Sequence, residues 1–327
     1  LSNLSLQMYG FFISNGHARN EGEEEKVKKF FRQNLPSGSF HQDGFFERLY
    51  LYQSYTWYAF IRQDFKLYYR YTQKWVNLFY EKPTMQRVET GNFIKAYHNL
   101  LNAHFDLRNY RKFEEDLSSF EAFSHTKRVQ QNENFRVQSF VYIASAKFNY
   151  YSITGQFKEG LKEVPDIEEK LSEYALFLDK HRIMVLNYKM AILYFGSGDF
   201  STCIDYIQRI INDSSELRTD LQCYARLVHL LAHYELGNVD LMDYLTRSVY
   251  RYMSKMKNLT VIEQEMFRFF RNSFRFSRRQ LTPEIETLLS KIKHLEGNRF
   301  ETRALAYLDI ISWLESKVQG KTMSEVI

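Results

Sequence analysis

The amino-acid sequence predicts an all-α fold of about seven helical hairpins stacked in one continuous domain over residues 1–327. Three observations lead there. Apolar residues recur at helical spacing along nearly the whole chain, and no stretch alternates as a half-buried strand does. Breakers are scarce and rings abundant, with 4 Pro and 13 Gly against 28 Phe and 24 Tyr. That balance favours long helices whose contacts are filled with aromatic side chains. Third, turn signals return at a near-constant interval: near Gly16, Gln63, Asn109, Gly155, Gly198, Gly237 and Ser277, 39 to 47 residues apart. Such a period marks helical hairpins that each leave an apolar face for a neighbour to cover.

In chain order, the turn at Gly16 closes the first hairpin. The next unit carries the ring-rich segment 48–80, in which Arg62, Lys66, Arg70 and Lys74 recur every four residues. The turn at Gln63 puts Arg62 on one helix and the other three on the next. These three are expected on the wet face, their stems covering apolar neighbours, with the rings packing between hairpins. Pro165 is expected to interrupt the second helix of the Gly155 unit. Thr260-Val-Ile-Glu263 reads as a capping box opening a helix. Thr282-Pro283-Glu284 reads as an N-cap followed by proline at the first helical position. Gly297 then ends that helix, leaving 299–318 as a final covering helix. No Ser/Gly-rich linker divides the chain.

The stretch "NYKMAILYFGSGDFSTCIDYIQRIIND", residues 187–213, resembles a tetratricopeptide repeat. Ala191 and Cys203 stand at that family's small positions, Tyr194 at its aromatic one, and Gly198-Asp199-Phe200 at its turn. Ile207 and Ile210 take the large apolar sites of the second helix. Weaker copies keep the frame: Tyr151, Gly155, Phe157 and Gly160 in one, Gly237 with His233 and Met242 in another. Further copies keep Tyr110 with Phe113, and Asp64-Phe65. The resemblance implies a right-handed α–α superhelix whose first helices line a concave groove that holds extended peptides or partner helices. Periods above the family's ~34 residues imply longer helices.

The chemistry-bearing patterns are few. His229 and His233 lie at i, i+4, a metal-holding spacing, but no Glu follows the first His and both fall at packing positions. The acidic runs Glu23-Glu24-Glu25 and Glu114-Glu115-Asp116 point in different directions and read as solvated helix starts. No glycine-rich phosphate loop or GxSxG elbow occurs. Cys203 sits at a packing site. The expectation is therefore a non-catalytic protein without metal or cofactor. An enzyme assembled from distant carboxylates, as in a helical toroid, is the lesser alternative. Cys203 and Cys223 fit no CxxC or disulfide framework. No run approaches the ~18 apolar residues of a membrane span, and the first residues lack a signal-peptide pattern. A cytoplasmic setting without membrane contact is expected. The chain opens without Met, as a fragment of a longer one would.

Net charge is +5, but the window from Arg247 to Arg279 is net +7 and the remainder net −2. Inside it, "RFFRNSFRFSRR" (268–279) read as one helix puts Arg268, Arg271, Arg275, Arg278 and Arg279 within about 100° of arc. Phe267, Phe269, Phe270, Phe274 and Phe276 then face the core. Like charges at this spacing repel, and Arg247, Arg251 and Lys255 add more on the preceding helix. Two readings stand open: the arginines face the groove, or they pair with Glu284, Glu286 or Glu301. The first makes Arg268, Arg271, Arg275 and Arg278 the candidate binding residues, with Arg247, Arg251 and Lys255 secondary. The partner is then a protein or peptide bearing acidic groups, with nucleic acid, held by the basic C-terminal third, as the alternative.

Overall fold

A computed structural model of the chain describes residues 1–35, 44–213, 218–273 and 278–327. All regular structure among the described residues is α-helical, with no strand. The chain divides into two compact units, Leu1–Ala146 and Lys147–Ile327, and the division falls within one helix.

The first unit holds α1 (Ser2–Asn15), α2 (Glu21–Asn34), α3 (Phe45–Ile61), α4 (Phe65–Glu81), α5 (Pro83–Val88), α6 (Thr90–Asp106), α7 (Tyr110–Ser124), α8 (Lys127–Gln130) and the start of α9 (Glu133–Ile153). Here α1 packs on α3, α3 on α4, α4 on α6 and α6 on α7. Ala59 and Ala103 are fully buried around Tyr68, and such small residues let helices approach closely. The ring-rich segment packs between helices as expected. Tyr55 of α3 stacks on Tyr71 of α4 at 4.3 Å, and Phe31 of α2 on Tyr58 at 4.1 Å. Lys66, Arg70 and Lys74 are exposed along α4, while Arg62 caps α3. One acidic run departs from expectation. Glu25 is exposed, but Glu24 is buried and pairs with Arg62 at 2.9 Å, because α2 turns that residue toward the end of α3.

The second unit continues from α9 through α10 (Phe157–Leu161), α11 (Val164–Glu173), α12 (Lys180–Ser197), α13 (Phe200–Ile211), α14 (Thr219–Glu235), α15 (Val239–Lys255) and α16 (Val261–Ser273). It ends with α17 (Arg278–Leu295), α18 (Arg303–Tyr307), α19 (Ile310–Gln319) and α20 (Met323–Val326). From α12 to α17 each helix packs against the next. Pro165 sits in the first turn of α11, where its missing N–H costs no helical bond, and the break from α10 falls just before it. In the 187–213 stretch Ala191, Cys203, Ile207 and Ile210 are all buried, and Tyr194 stacks on Tyr206. The two cysteines are free and buried.

The hairpin turns repeat in atomic detail. Gln63, Arg108, Gly155, Gly198 and Gly237 all have positive φ, between 50° and 89°. After each, the N–H of Asp64, Asn109, Gln156, Asp199 and Asn238 donates to the carbonyl five residues back, at 2.9–3.1 Å. This is the Schellman termination, used five times at the expected places. Gly16 also has positive φ, and Ser277 lies outside the described residues.

Two boundary expectations fail and a third is met in part. Thr282 does not cap a helix: α17 begins at Arg278 and holds Pro283 in its interior. Thr282 and Pro283 are exposed. The span 299–318 is not one helix. It breaks at Leu308, which is extended, and α19 restarts where the Asp309 carboxylate accepts the Ser312 N–H at 3.0 Å. These last pieces fold back within their unit. Tyr307 stacks on Tyr224 of α14 at 4.0 Å, and the Tyr188 hydroxyl of α12 donates to the Tyr307 carbonyl at 3.2 Å. At Thr260, half of the capping box forms. The Glu263 carboxylate accepts the Thr260 N–H at 2.7 Å, but the Thr260 hydroxyl turns to that carboxylate and not to the helix. Glu263 is fully buried, and the Tyr224 hydroxyl supplies its third bond at 2.9 Å.

Candidate functional site

Helix α16 owes its placement to rings. Phe267, Phe269 and Phe270 are buried, as expected, against Tyr250, Tyr234 and Trp313. Phe274 and Phe276 lie outside the described residues. With that face fixed, Arg268 and Arg271 point outward and are exposed.

Of the five arginines of the stretch, Arg268 and Arg271 lie on α16, and Arg278 and Arg279 stand at the start of α17. Arg275 lies outside the described residues, and of the Arg278 side chain nothing is described. Arg268 ion-pairs with Glu265 on its own helix. Glu265 also takes Lys291 of α17 at 2.9 Å, and these two cations hold its carboxyl below the usual range. The Glu301 carboxylate accepts the Val261 N–H at 2.6 Å.

Arg271 turns the other way. Its Nε–H donates to the Phe267 carbonyl at 3.3 Å, and its guanidinium lies 5.6 Å from the Tyr250 ring centre. There it meets the secondary candidates. Arg247, Arg251 and Arg271, with Tyr244, Thr246 and Tyr250, line a half-open hollow of about 390 Å³. Arg247 ion-pairs with Asp243 one turn back. The Arg251 Nε–H donates to the Arg247 carbonyl at 3.3 Å. Neither Arg251 nor Arg271 pairs with a carboxylate among the described residues. Lys255 is exposed at the end of α15 and does not line the hollow.

Sequence reasoning missed Tyr244, Thr246 and Tyr250. The signal was available: Tyr244, Arg247 and Arg251 lie at i, i+3 and i+7, one face of a helix. Five of the six lining residues belong to α15, the second helix of the Gly237 hairpin, whereas the family resemblance puts binding residues on first helices.

The histidine pair takes its packing role. The rings of His229 and His233 meet edge to face, 4.5 Å between centres. The Asn238 amide donates to His233 Nδ1 at 2.8 Å, which needs that ring neutral. Burial, then the charges of His233 and Arg226, push His229 down to about 4; burial also lowers His233. The folded state therefore prefers both rings uncharged. Their contribution is full above the unfolded value near 6.5 and is lost as pH falls toward 4. Going from about pH 7 to about pH 4.5 should cost roughly 1–2 kcal/mol at His229, discounted for its partial exposure. Urea titrations at both pH values should show a smaller acid loss in His229→Gln than in wild type. Equal losses would remove this account.

Among the described residues, no group of three or more His, Cys, Asp and Glu could hold a metal ion. No helix there is long and apolar enough to cross a membrane. No protein-family model matches the chain, and no curated protein matches it.

Proposed function

We propose that the chain is a non-catalytic binding module, built as a tetratricopeptide-like α–α superhelix, that captures an acidic segment of a protein partner on its α15–α16 face. One observation carries the reading: two exposed guanidiniums, Arg251 and Arg271, border a ring-lined hollow without a carboxylate partner among the described residues. Two neighbouring cations are matched on their own helices, Arg247 by Asp243 and Arg268 by Glu265. Arg presents a planar fork suited to carboxylates and phosphates. Tyr244 and Tyr250 add apolar area with few rotamers to freeze, the usual make-up of a recognition surface.

The test is retention of randomised peptides rich in Asp and Glu, set against neutral and basic libraries. Wild type should hold the acidic library. Arg251→Glu with Arg271→Glu should weaken retention at least about a hundredfold, since two charge-assisted contacts are lost. Both positions are exposed, so the thermal melt should stay near wild type. Equal retention of all libraries sinks the proposal. Retention of a single-stranded RNA homopolymer, with affinity falling steeply in salt, moves the reading to nucleic acid.

A further inference from the structure

We infer that the hollow between α15 and α16 takes a phosphate monoester carried on a protein segment; this rests on the binding reading above and names the group that the surface recognises. Charge is the first argument. With Arg247 offset by Asp243, the hollow keeps two guanidinium charges without a carboxylate among the described residues. A single carboxylate neutralises one of them. A phosphomonoester, at about −1.5 to −2 near neutral pH, neutralises both, and its three terminal oxygens suit two guanidinium forks.

The second argument is independent of charge. Thr246 lines the hollow, is 2% exposed, and its hydroxyl has no hydrogen-bond partner. A buried hydroxyl on a helix ordinarily turns back to a carbonyl three or four residues earlier. Ser54, Thr72 and Thr90 do so here, at 2.7–3.0 Å. Thr246 does not, leaving a donor whose desolvation goes uncompensated until an acceptor arrives. The comparable orphaned hydroxyls of Thr56 and Ser139 belong to the other unit. The hydroxyl is closed to solvent in this structure, so a phosphate oxygen seated between the two arginines becomes its acceptor once the side chains over it move aside.

Third, the hollow is open to solvent on one side, and its volume of about 390 Å³ holds a phosphoryl group and the side chain bearing it. Tyr244, 65% exposed, and Tyr250 stand at the hollow to receive the flanking chain.

The test uses two fluorescent peptide mixtures with the same randomised flanks around one fixed central residue. One mixture carries phosphoserine or phosphotyrosine there, the other Glu. Wild type should bind the phosphorylated mixture at least tenfold more tightly, and more tightly still as pH rises from about 5 to about 7.5 through the second phosphate ionisation. Arg251→Gln with Arg271→Gln should abolish the difference. Thr246→Val should shrink it several-fold without lowering the melting temperature, since valine keeps the shape and removes an unsatisfied group. Equal affinity for the two mixtures overturns the phosphate inference and leaves the acidic-segment reading standing. Binding of neither mixture overturns both. Inorganic phosphate binding as tightly as the phosphopeptides overturns the peptide-borne part, because the free ion is then the ligand.

Discussion

Replacing Trp313 by alanine is expected to lower the unfolding free energy of the Lys147–Ile327 unit by about 3–5 kcal/mol. Trp313 is 1% exposed and joins three helices. Its ring lies among Tyr234 of α14 and Phe270 of α16, at 6.1 and 6.5 Å between centres. Its Nε1–H donates to Glu235 at 2.5 Å, and Glu235 also pairs with Lys317 one turn further along α19. Alanine removes the ring and leaves a cavity among rings that belong to separate helices and cannot all move in. Phenylalanine keeps most of the ring and removes the donor. Glu235 retains Lys317, so Trp313→Phe should cost only about 1–2 kcal/mol. Urea unfolding followed by far-ultraviolet circular dichroism measures both. Equal losses for the two variants would mean that the hydrogen bond outweighs the packing, and this account of α19 would fail.

The same ring cluster shows how far the sequence could be read. Phe267, Phe269 and Phe270 were legible as core because a helix imposes its period on any residue within it. The turns were legible for a similar reason. Gly155, Gly198 and Gly237 supply positive φ cheaply, and even Gln63 and Arg108, without glycine's freedom, are bracketed by the period of their neighbours. What could not be read was the division of the chain into α16 and α17. Extending a single helix through 268–279 grouped arginines that belong to two. Likewise, nothing local to 299–318 announces that Tyr307 leaves the helical path to stack on Tyr224, more than eighty residues earlier.

The candidate site was half legible for related reasons. Excess charge between Arg247 and Arg279 is a sum over residues and survives any error in helix ends. Pairing does not. Arg268 and Arg271 are three residues apart on one helix, yet one leans on Glu265 and the other on Tyr250. The choice depends on which helix lies on each side, and that is a property of packing alone. Thr246 was invisible because an orphaned hydroxyl is defined by what it lacks in three dimensions.

A glycine inside a helix reads as a weakness, and at Gly196 the reading inverts. Helical glycine costs roughly 0.5–1 kcal/mol relative to alanine, so an unencumbered Gly196→Ala should stabilise α12. Here a Cβ would stand 2.3 Å from one ring atom of Phe157 and 2.4 Å from two others. Phe157 is itself buried at the start of α10. Gly196→Ala should therefore destabilise the unit by about 1–3 kcal/mol despite the gain in helix propensity. Phe157→Leu alone opens a void and should cost about 1 kcal/mol or more. Together the two changes relieve each other: the smaller side chain vacates the space that the new methyl needs. The double variant should lose at least 1 kcal/mol less than the sum of the singles, a coupling typical of residues in direct contact. Strict additivity in that cycle would show that the ring yields freely, and close approach of α10 to α12 would no longer explain glycine at this position.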